Sequence, residues 1–140
     1  MQLLDTNVVS IFRRPDKAPP QVLDWAASVD ADDFFLSVIT ILEIEQGILL
    51  KERTDKAQAA LYRDWLNNDI LVRYDERILP IDLAVARRCA GLHVPDPKSE
   101  RDALIAATAL VHGMSVVTRN EADFKATGVP LINPWSYARN

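Results

Sequence analysis

Four carboxylates have positions that could bring them to one edge of a predicted sheet: Asp5, Glu43, Asp102 and Asp123. Asp5 ends the first predicted strand, Glu43 lies in the helix after the second, Asp102 lies near the start of a helix that begins at Ser99, and Asp123 follows the fourth strand. In parallel α/β sheets, ligands bind beyond the carboxyl ends of the strands, so we expect these four side chains to converge. Their mutual repulsion would raise their pKa values and destabilise the fold unless a cation lay among them. Oxygen ligands without a supporting histidine or cysteine favour Mg²⁺ or Mn²⁺ over zinc. The pattern therefore predicts a divalent metal site.

Three of these acids also have a structural explanation. Asp5 could cap the helix that is predicted to start at Thr6, because aspartate is a preferred N-cap. Ser99 and Asp102 fit the S-x-x-D capping box, in which the acid binds the backbone N–H of the cap. Asp123 could be a surface acid in a short connection. Taken one at a time, these residues leave both interpretations open.

Glu43 is harder to explain as a structural residue. At about 100° per residue, the apolar positions of its helix spread over one broad side, whereas Thr40, Gln46 and Gly47 share the other side with Glu43. Gly47 would leave room for a ligand to approach. Glu45 falls among the apolar positions, where an unpaired charge is costly, so we expect it in a salt bridge or a subunit interface and not in the site.

Strands and helices alternate along the chain, which is typical of βαβ units and a mostly parallel sheet. The predicted strands are residues 2–5, 34–37, 78–81, 115–118 and 130–133. The predicted helices are residues 6–14, 19–29, 38–53, 55–74, 82–92 and 99–113, with a further helical turn in 119–124. This order predicts an α/β fold, a three-layer α/β/α sandwich around a mostly parallel five-stranded sheet.

The bulk composition is that of a globular protein. The chain has 140 residues, of which 49% are hydrophobic and 26% charged, so we expect one domain over residues 1–140. The net charge of −4 argues against a broad basic surface for nucleic acid, which must then be engaged locally. No apolar run approaches the roughly 20 residues of a membrane helix, and none resembles a signal peptide, so we expect a cytoplasmic protein without a membrane partner.

Cysteine and histidine are not expected to carry the chemistry. Cys89 is the only cysteine, and its place in an apolar helix pattern predicts a small core residue. His93 precedes a proline-containing loop, and His112 lies in the last turn of its helix, where histidine suits the helix dipole. We therefore expect neither histidine to bind metal.

Four motifs together carry a resemblance to a known family. They are LLDTNVVS (3–10), SVITILEIEQG (37–47), RDALIAATAL (101–110) and VVTRNEADF (116–124). In this order and spacing the chain resembles the PIN-domain family, and within it the VapC-type toxins close to the FitB-like branch. The resemblance implies metal-dependent cleavage of RNA phosphodiester bonds. It also implies a cognate antitoxin that covers the acidic groove and usually binds DNA, together with homodimers and larger toxin–antitoxin assemblies.

The resemblance assigns roles to residues of this chain. The acidic site falls on the four carboxylates, with Asp5 as the central ligand, Asp102 and Asp123 as ligands either direct or through water, and Glu43 as a ligand or a base. Supporting polar residues follow two of the strands: Thr6, Asn7, Thr118 and Asn120. The last two would orient a carboxylate or touch phosphate, and simple capping of the strand end explains them equally well.

Two other functions are compatible with this reading of the sequence. A receiver-like or phosphatase-like domain could use Asp5 as a phosphoryl acceptor, but such domains carry a pair of acids after the first strand and a lysine near the fourth, where this chain has Arg119. A PIN-like binding module without catalysis is the second alternative. The complete set of four acids speaks against it, because such charges are costly to keep together.

Overall fold

The computed structural model describes residues 1–138, so the last two residues of the predicted domain lie outside the described part. Five short strands form one sheet: β1 (Gln2–Leu4), β2 (Phe34–Ser37), β3 (Ile78–Leu79), β4 (Ser115–Val117) and β5 (Leu131–Ile132). Their order across the sheet is β3-β2-β1-β4-β5, and every neighbouring pair is parallel. Gln2 lies opposite both Phe34 and Ser115. The predicted fold class is confirmed.

The helices follow the strands in the predicted order. They are α1 (Thr6–Phe12), α2 (Pro20–Ala27), α3 (Val38–Glu52), α4 (Lys56–Trp65), α5 (Leu71–Arg73), α6 (Leu83–Leu92), α7 (Glu100–His112) and α8 (Glu121–Phe124). One difference from the sequence interpretation is the segment 55–74, which was expected to be a continuous helix. A π turn at Leu66–Ile70 separates α4 from α5, so this segment is helical in three pieces.

Side-chain caps explain where several helices begin. The Ser37 hydroxyl accepts a 3.0 Å hydrogen bond from the Ile39 N–H at the start of α3. Asp82 accepts from the Val85 N–H at 3.0 Å at the start of α6. Ser99, by contrast, makes no side-chain cap at α7, so the cap half of the proposed capping box is absent. A hydrogen bond from Ser99 nevertheless opposes the rise in the pKa of Asp102, so a structural explanation for this acid stays open.

The two faces of the sheet bury separate apolar clusters. Leu3 and Val116 lie in one cluster with Ile105 of α7, whereas Leu4 and Val117 lie in the other, and all five side chains are fully buried. Successive strand residues point to opposite faces, so this alternation places helices on both sides of the sheet. The sheet is thus the middle layer of three.

Two smaller predictions can be assessed in the helical layers. Cys89 is a buried core residue and packs with Val85 and Ala103 between α6 and α7, as expected. Glu45 forms a salt bridge with Arg63 of α4, whose Nη1 lies 2.6 Å from Glu45 Oε1, so the expected ion pair is found within the chain. Within residues 1–138, no helix has both the length and the apolar character needed to cross a membrane.

Candidate active site

The four predicted acids meet at the carboxyl edge of the sheet. Because β1 lies between β2 and β4, the segments that follow these three strands start side by side. Asp5 follows β1, and its N–H donates a 2.9 Å hydrogen bond to the Val117 carbonyl at the end of β4. Helix α3 follows β2 directly and carries Glu43, the first turn of α7 carries Asp102, and α8 carries Asp123.

Asp5 is the most enclosed of these acids, with 6% of its surface exposed. Its Oδ1 accepts a 2.9 Å hydrogen bond from the Thr6 N–H, which makes it the N-cap of α1. Its Oδ2 accepts from the Asn7 amide at 3.0 Å and from the Thr118 hydroxyl at 2.9 Å. Both explanations offered by the sequence therefore apply to the same side chain, which caps a helix and lies in the acidic cluster.

The charges of the acids act on one another. Burial raises the pKa of the Asp5 carboxyl, hydrogen bonds from Thr118 and the Thr6 N–H oppose the rise, and the negative charge of Glu43 adds to it. Burial also raises the pKa of Asp102, and the charges of Asp5 and Asp123 raise it further. Glu43 thus acts on Asp5, and Asp5 and Asp123 act on Asp102, so these pairwise interactions connect all four predicted acids.

Glu43 is oriented by a hydroxyl from the neighbouring helix. The Thr6 hydroxyl lies 2.9 Å from Glu43 Oε1 and 3.2 Å from the hydroxyl of Thr40, which is fully buried. Thr6 therefore links α1 to α3 beside the acids. Thr40 and Glu43 share one side of α3, as expected, but Thr40 is fully buried whereas Glu43 is partly exposed.

The supporting polar residues bind the Asp5 carboxylate and also the backbone of the segment that follows β4. Besides its bond to Asp5, Thr118 accepts a 3.0 Å hydrogen bond from the Asn120 N–H. The Asn7 side chain accepts from the Arg119 N–H at 3.1 Å, so it ties the segment after β4 to α1. Asn120 thus acts here through its backbone, and its side chain is exposed at the edge of the site.

The carboxylates retain capacity for a hard cation. A carboxylate has about four lone-pair sites, and Asp5 uses one on Oδ1 and two on Oδ2, which leaves one on Oδ1. Burial and, to a smaller extent, repulsion between the acids raise the pKa values of Asp5 and Asp102, and a bound cation would favour the charged form of both. The donor set consists of oxygen atoms and fits Mg²⁺ or Mn²⁺.

The Arg101 side chain, which the sequence analysis did not single out, reaches this cluster from α7. Its Nη2 donates a 2.6 Å hydrogen bond to the Gln46 side chain, and its Nη1 lies 3.9 Å from Glu43 Oε2. An arginine next to an aspartate at a helix start gives no periodic signal. Only the closeness of α3 and α7 in the fold shows where its guanidinium lies.

A second group with metal-ligand chemistry lies between α6 and α7. Ligand atoms of Cys89, His93 and Glu100 lie within 4.8 Å of one another. However, His93 Nδ1 accepts a 3.0 Å hydrogen bond from the Lys98 N–H, so a neutral ring carries its proton on Nε2, which lies 3.2 Å from Glu100 Oε2. Both ring nitrogens of His93 therefore already have partners within the chain. We assign this group to a hydrogen-bonded link between the two helices.

An open space adjoins the acidic cluster on one side. A cavity of about 280 Å³ lies between α1, α3 and α4, and its lining includes Thr6, Glu43, Gly47 and Trp65. Apart from the adjoining residues and backbone of its own helix, nothing lies within 4 Å of the position that a Cβ at Gly47 would take, as expected if the glycine leaves room for a ligand. A larger cavity of about 500 Å³, at the far end of α1, has none of the four acids in its lining.

Comparison with known proteins gives consistent matches over nearly the whole chain. The PIN domain family matches residues 3–130. Toxin FitB of Neisseria gonorrhoeae is 37% identical over 141 residues, covering 96% of this chain and 99% of that protein. The VapC ribonuclease Y4jK of Sinorhizobium fredii is 35% identical over 149 residues, covering 99% of this chain and 100% of that protein.

A solved structure agrees with these sequence matches. The crystal structure of FitAcB from Neisseria gonorrhoeae superimposes with a TM-score of 0.87 at 34% identity, covering 97% of this chain and 99% of that chain. The resemblance inferred from the four motifs is confirmed. Because the matched residues take in all four converging carboxylates and the strands that carry them, the chain belongs to the PIN-domain family.

Proposed function

We propose that this chain is a metal-dependent ribonuclease of the VapC type, the toxin component of a type II toxin–antitoxin pair, and that residues 1–140 act as one nuclease domain. The observation that carries the proposal is the buried Asp5 carboxylate, held by three donors at the point where three further acids converge. Two relatives, one named a ribonuclease and the other a toxin, match this chain over nearly their whole length and support the proposal.

Asp5, Asp102, Asp123 and Glu43 would hold Mg²⁺ or Mn²⁺. When bound, such a cation lowers the pKa of a water and neutralises charge on a phosphodiester. The protein contributes a fixed position for the ligands, because Asp5 cannot rotate without breaking its bonds to Asn7 and Thr118. The chemistry needs no side-chain nucleophile.

Glu43 is the candidate for proton removal from the attacking water, or else a further ligand. The Thr6 hydroxyl holds its Oε1, which leaves Oε2 to accept a proton. Its side chain is 29% exposed, so both water and substrate can reach it. Thr6 and the Thr118–Asn120 segment then act as positioning residues for Glu43 and Asp5.

The proposed function also implies partner proteins. We propose a cognate antitoxin that binds DNA and whose peptide enters the acidic groove, with the cavity beside Glu43 and Gly47 as the adjoining space. We also propose a homodimer that assembles further with the antitoxin, and a cytoplasmic location. Apolar side chains exposed on α3 and α4, among them Leu49, Leu50 and Leu61, offer surface for such contacts.

A cleavage assay tests the proposal. Purified protein is incubated with mixed RNA and Mg²⁺ or Mn²⁺, with and without EDTA, beside Asp5→Asn. The matched control is Asp82→Asn, because Asp82 also caps a helix with its carboxylate but lies outside the acidic cluster. We expect wild-type and Asp82→Asn to cleave, and EDTA or Asp5→Asn to abolish cleavage.

The outcomes distinguish the alternatives. Cleavage that survives both EDTA and Asp5→Asn would rule out the metal mechanism. RNA binding without cleavage in either metal would favour the PIN-like binding module. Parallel assays in the two metals decide between Mg²⁺ and Mn²⁺ by comparing rates at saturating concentration.

A further inference from the structure

The rim of the acidic cluster carries one guanidinium group held in place from the opposite helix. Arg101 of α7 donates to Gln46 of α3 at 2.6 Å, and its Nη1 lies 3.9 Å from Glu43 Oε2. The Arg101 side chain is 43% exposed. The guanidinium is therefore open to solvent directly beside Glu43, one of the proposed catalytic acids.

Most of the hydrogen-bonding capacity of this guanidinium is free for a ligand. The group has five N–H donors in a planar fork, of which one is used on the neutral Gln46 side chain. Arg101 Nη1 and Glu43 Oε2 form an ion pair at 3.9 Å, a distance that is too long for a hydrogen bond. Gln46 thus orients the fork without neutralising its charge.

A positive group at this position meets a specific need of the reaction. RNA is a polyanion, and the cluster it must approach is formed by four acids. Arginine matches phosphate with two parallel N–H bonds, which gives both attraction and orientation. We propose that Arg101 binds the non-bridging oxygens of a backbone phosphate of single-stranded RNA next to the cleavage position; this rests on the proposed ribonuclease function and adds a substrate-binding residue to it.

A purely structural role makes different predictions. If Arg101 only ties α3 to α7, removal of its partner Gln46 should have the same effect as removal of Arg101. If Arg101 binds phosphate, only the loss of its charge should weaken RNA binding and reduce the dependence of that binding on salt. The variants Arg101→Gln, Arg101→Lys and Gln46→Ala separate these roles.

The experiment measures fluorescence anisotropy of a short labelled RNA of random sequence over a salt series. Ca²⁺ replaces Mg²⁺, since it takes the same oxygen ligands at longer distances and in looser geometry. Arg53→Gln is the matched charge control, because Arg53 ends the same α3 about 15 Å beyond Glu43 along the helix axis. Thermal unfolding of each variant verifies that it is folded.

We expect Arg101→Gln to weaken RNA binding about tenfold or more relative to Arg53→Gln, and to lower the slope of log affinity against log salt by about 0.7. Arg101→Lys should retain the slope with intermediate affinity, and Gln46→Ala should retain the slope as well. The inference is overturned if Arg101→Gln and Arg53→Gln bind alike, or if Gln46→Ala reproduces the loss.

Cleavage is measured separately in Mg²⁺, so that failure of the ribonuclease proposal can be distinguished from failure of the proposed phosphate contact. If the wild-type protein binds RNA with the expected Arg101 dependence but does not cleave, the ribonuclease proposal fails and the phosphate contact stands. If it cleaves and Arg101→Gln leaves both KM and the salt slope unchanged, the nuclease stands and the phosphate contact fails.

Discussion

The Thr118 hydroxyl donates a 2.9 Å hydrogen bond to Asp5 Oδ2 across 113 positions of sequence, and both side chains are buried. It joins the ends of β1 and β4, the two strands whose pairing places Asp5 in the site. The bond favours the charged form of Asp5 against the burial that disfavours it. Thr118 therefore orients the buried Asp5 carboxylate and opposes the rise in its pKa.

Thr118→Val tests this relationship, because valine has nearly the same shape and lacks the hydroxyl. We expect RNA cleavage or metal affinity to fall by about 10- to 100-fold, as for other residues that orient metal ligands. Steady-state kinetics over a Mg²⁺ titration measure the effect. Thr108→Val is the control, since Thr108 is equally buried but bonds only the Leu104 carbonyl of its own helix. Equal behaviour of the two variants would contradict the role of Thr118.

Asp102 links the acidic cluster to the pH dependence of stability. Burial and the charges of Asp5 and Asp123 raise its pKa, so the folded chain binds this proton more tightly than the unfolded chain. In EDTA, the free energy of unfolding should therefore fall as the pH rises from the usual 3.8 through the raised folded pKa. Above that pH range, the loss of stability caused by ionisation of Asp102 is complete.

Asp102→Asn removes this charge and should be more stable than wild-type in EDTA at neutral pH, with a flatter pH profile. Urea unfolding across the window measures both effects. Asp75→Asn, at an exposed carboxylate before β3, should leave the profile unchanged. Added Mg²⁺ should stabilise wild-type more than Asp102→Asn, because the cation relieves the same repulsion. If the free energy of unfolding of Asp102→Asn had the same pH dependence as that of wild-type over this window in EDTA, the argument would be refuted.

Glu43 and Glu45 offer a matched pair on one helix. Glu43 accepts from the Thr6 hydroxyl beside the other acids, whereas the Glu45 carboxylate is paired with Arg63. We expect Glu43→Gln to lower the cleavage rate by about 100-fold or more, the range found for loss of a general base. Glu45→Gln should cleave at close to the wild-type rate. Similar rates for both variants would remove Glu43 from the mechanism.

Arg77 holds the edge of the sheet on the side of β3. Its guanidinium donates to the carbonyls of Ala31, Phe34 and Arg73 at distances of 2.6 to 2.8 Å. Arg77→Ala should lower the free energy of unfolding by about 2 kcal/mol, because hydrogen bonds from a charged donor to three carbonyls are lost. Urea unfolding measures this. Arg73→Ala, at an exposed side chain, should change stability by less than about 0.5 kcal/mol.

The alternation of strands and helices and the positions of the four acids after the strands were predictable because each rests on a local pattern with a physical cause, whereas the order of the strands across the sheet was not predicted. Short apolar runs bounded by polar residues identify buried strands, and the residue after such a run must lie at the sheet edge. Ser37 and Gly113 mark the start of α3 and the end of α7 for equally local reasons, since one caps N–H groups and the other adopts a φ of 67°.

The faces of α3 were less predictable. Leu42 and Leu49 were expected on the buried side, yet they are 46% and 51% exposed. The buried stripe instead runs through Thr40, Ile44 and Ile48, one helical turn apart. Hydropathy alone does not separate a leucine that faces the core from one that faces a partner. The position of Arg101 was equally hidden, because it depends on how closely α7 approaches α3.

The strand order β3-β2-β1-β4-β5 also has a consequence for the time at which the site forms during translation. The first strand made, β1, lies at the centre of the sheet, and one of its neighbours, β4, is completed only at residue 117. A nascent chain that has Asp5 and Glu43 still lacks Asp102, Thr118 and Asp123. We therefore expect the complete set of acids and the β1–β4 pairing that positions them to form only after nearly the whole chain has been synthesised.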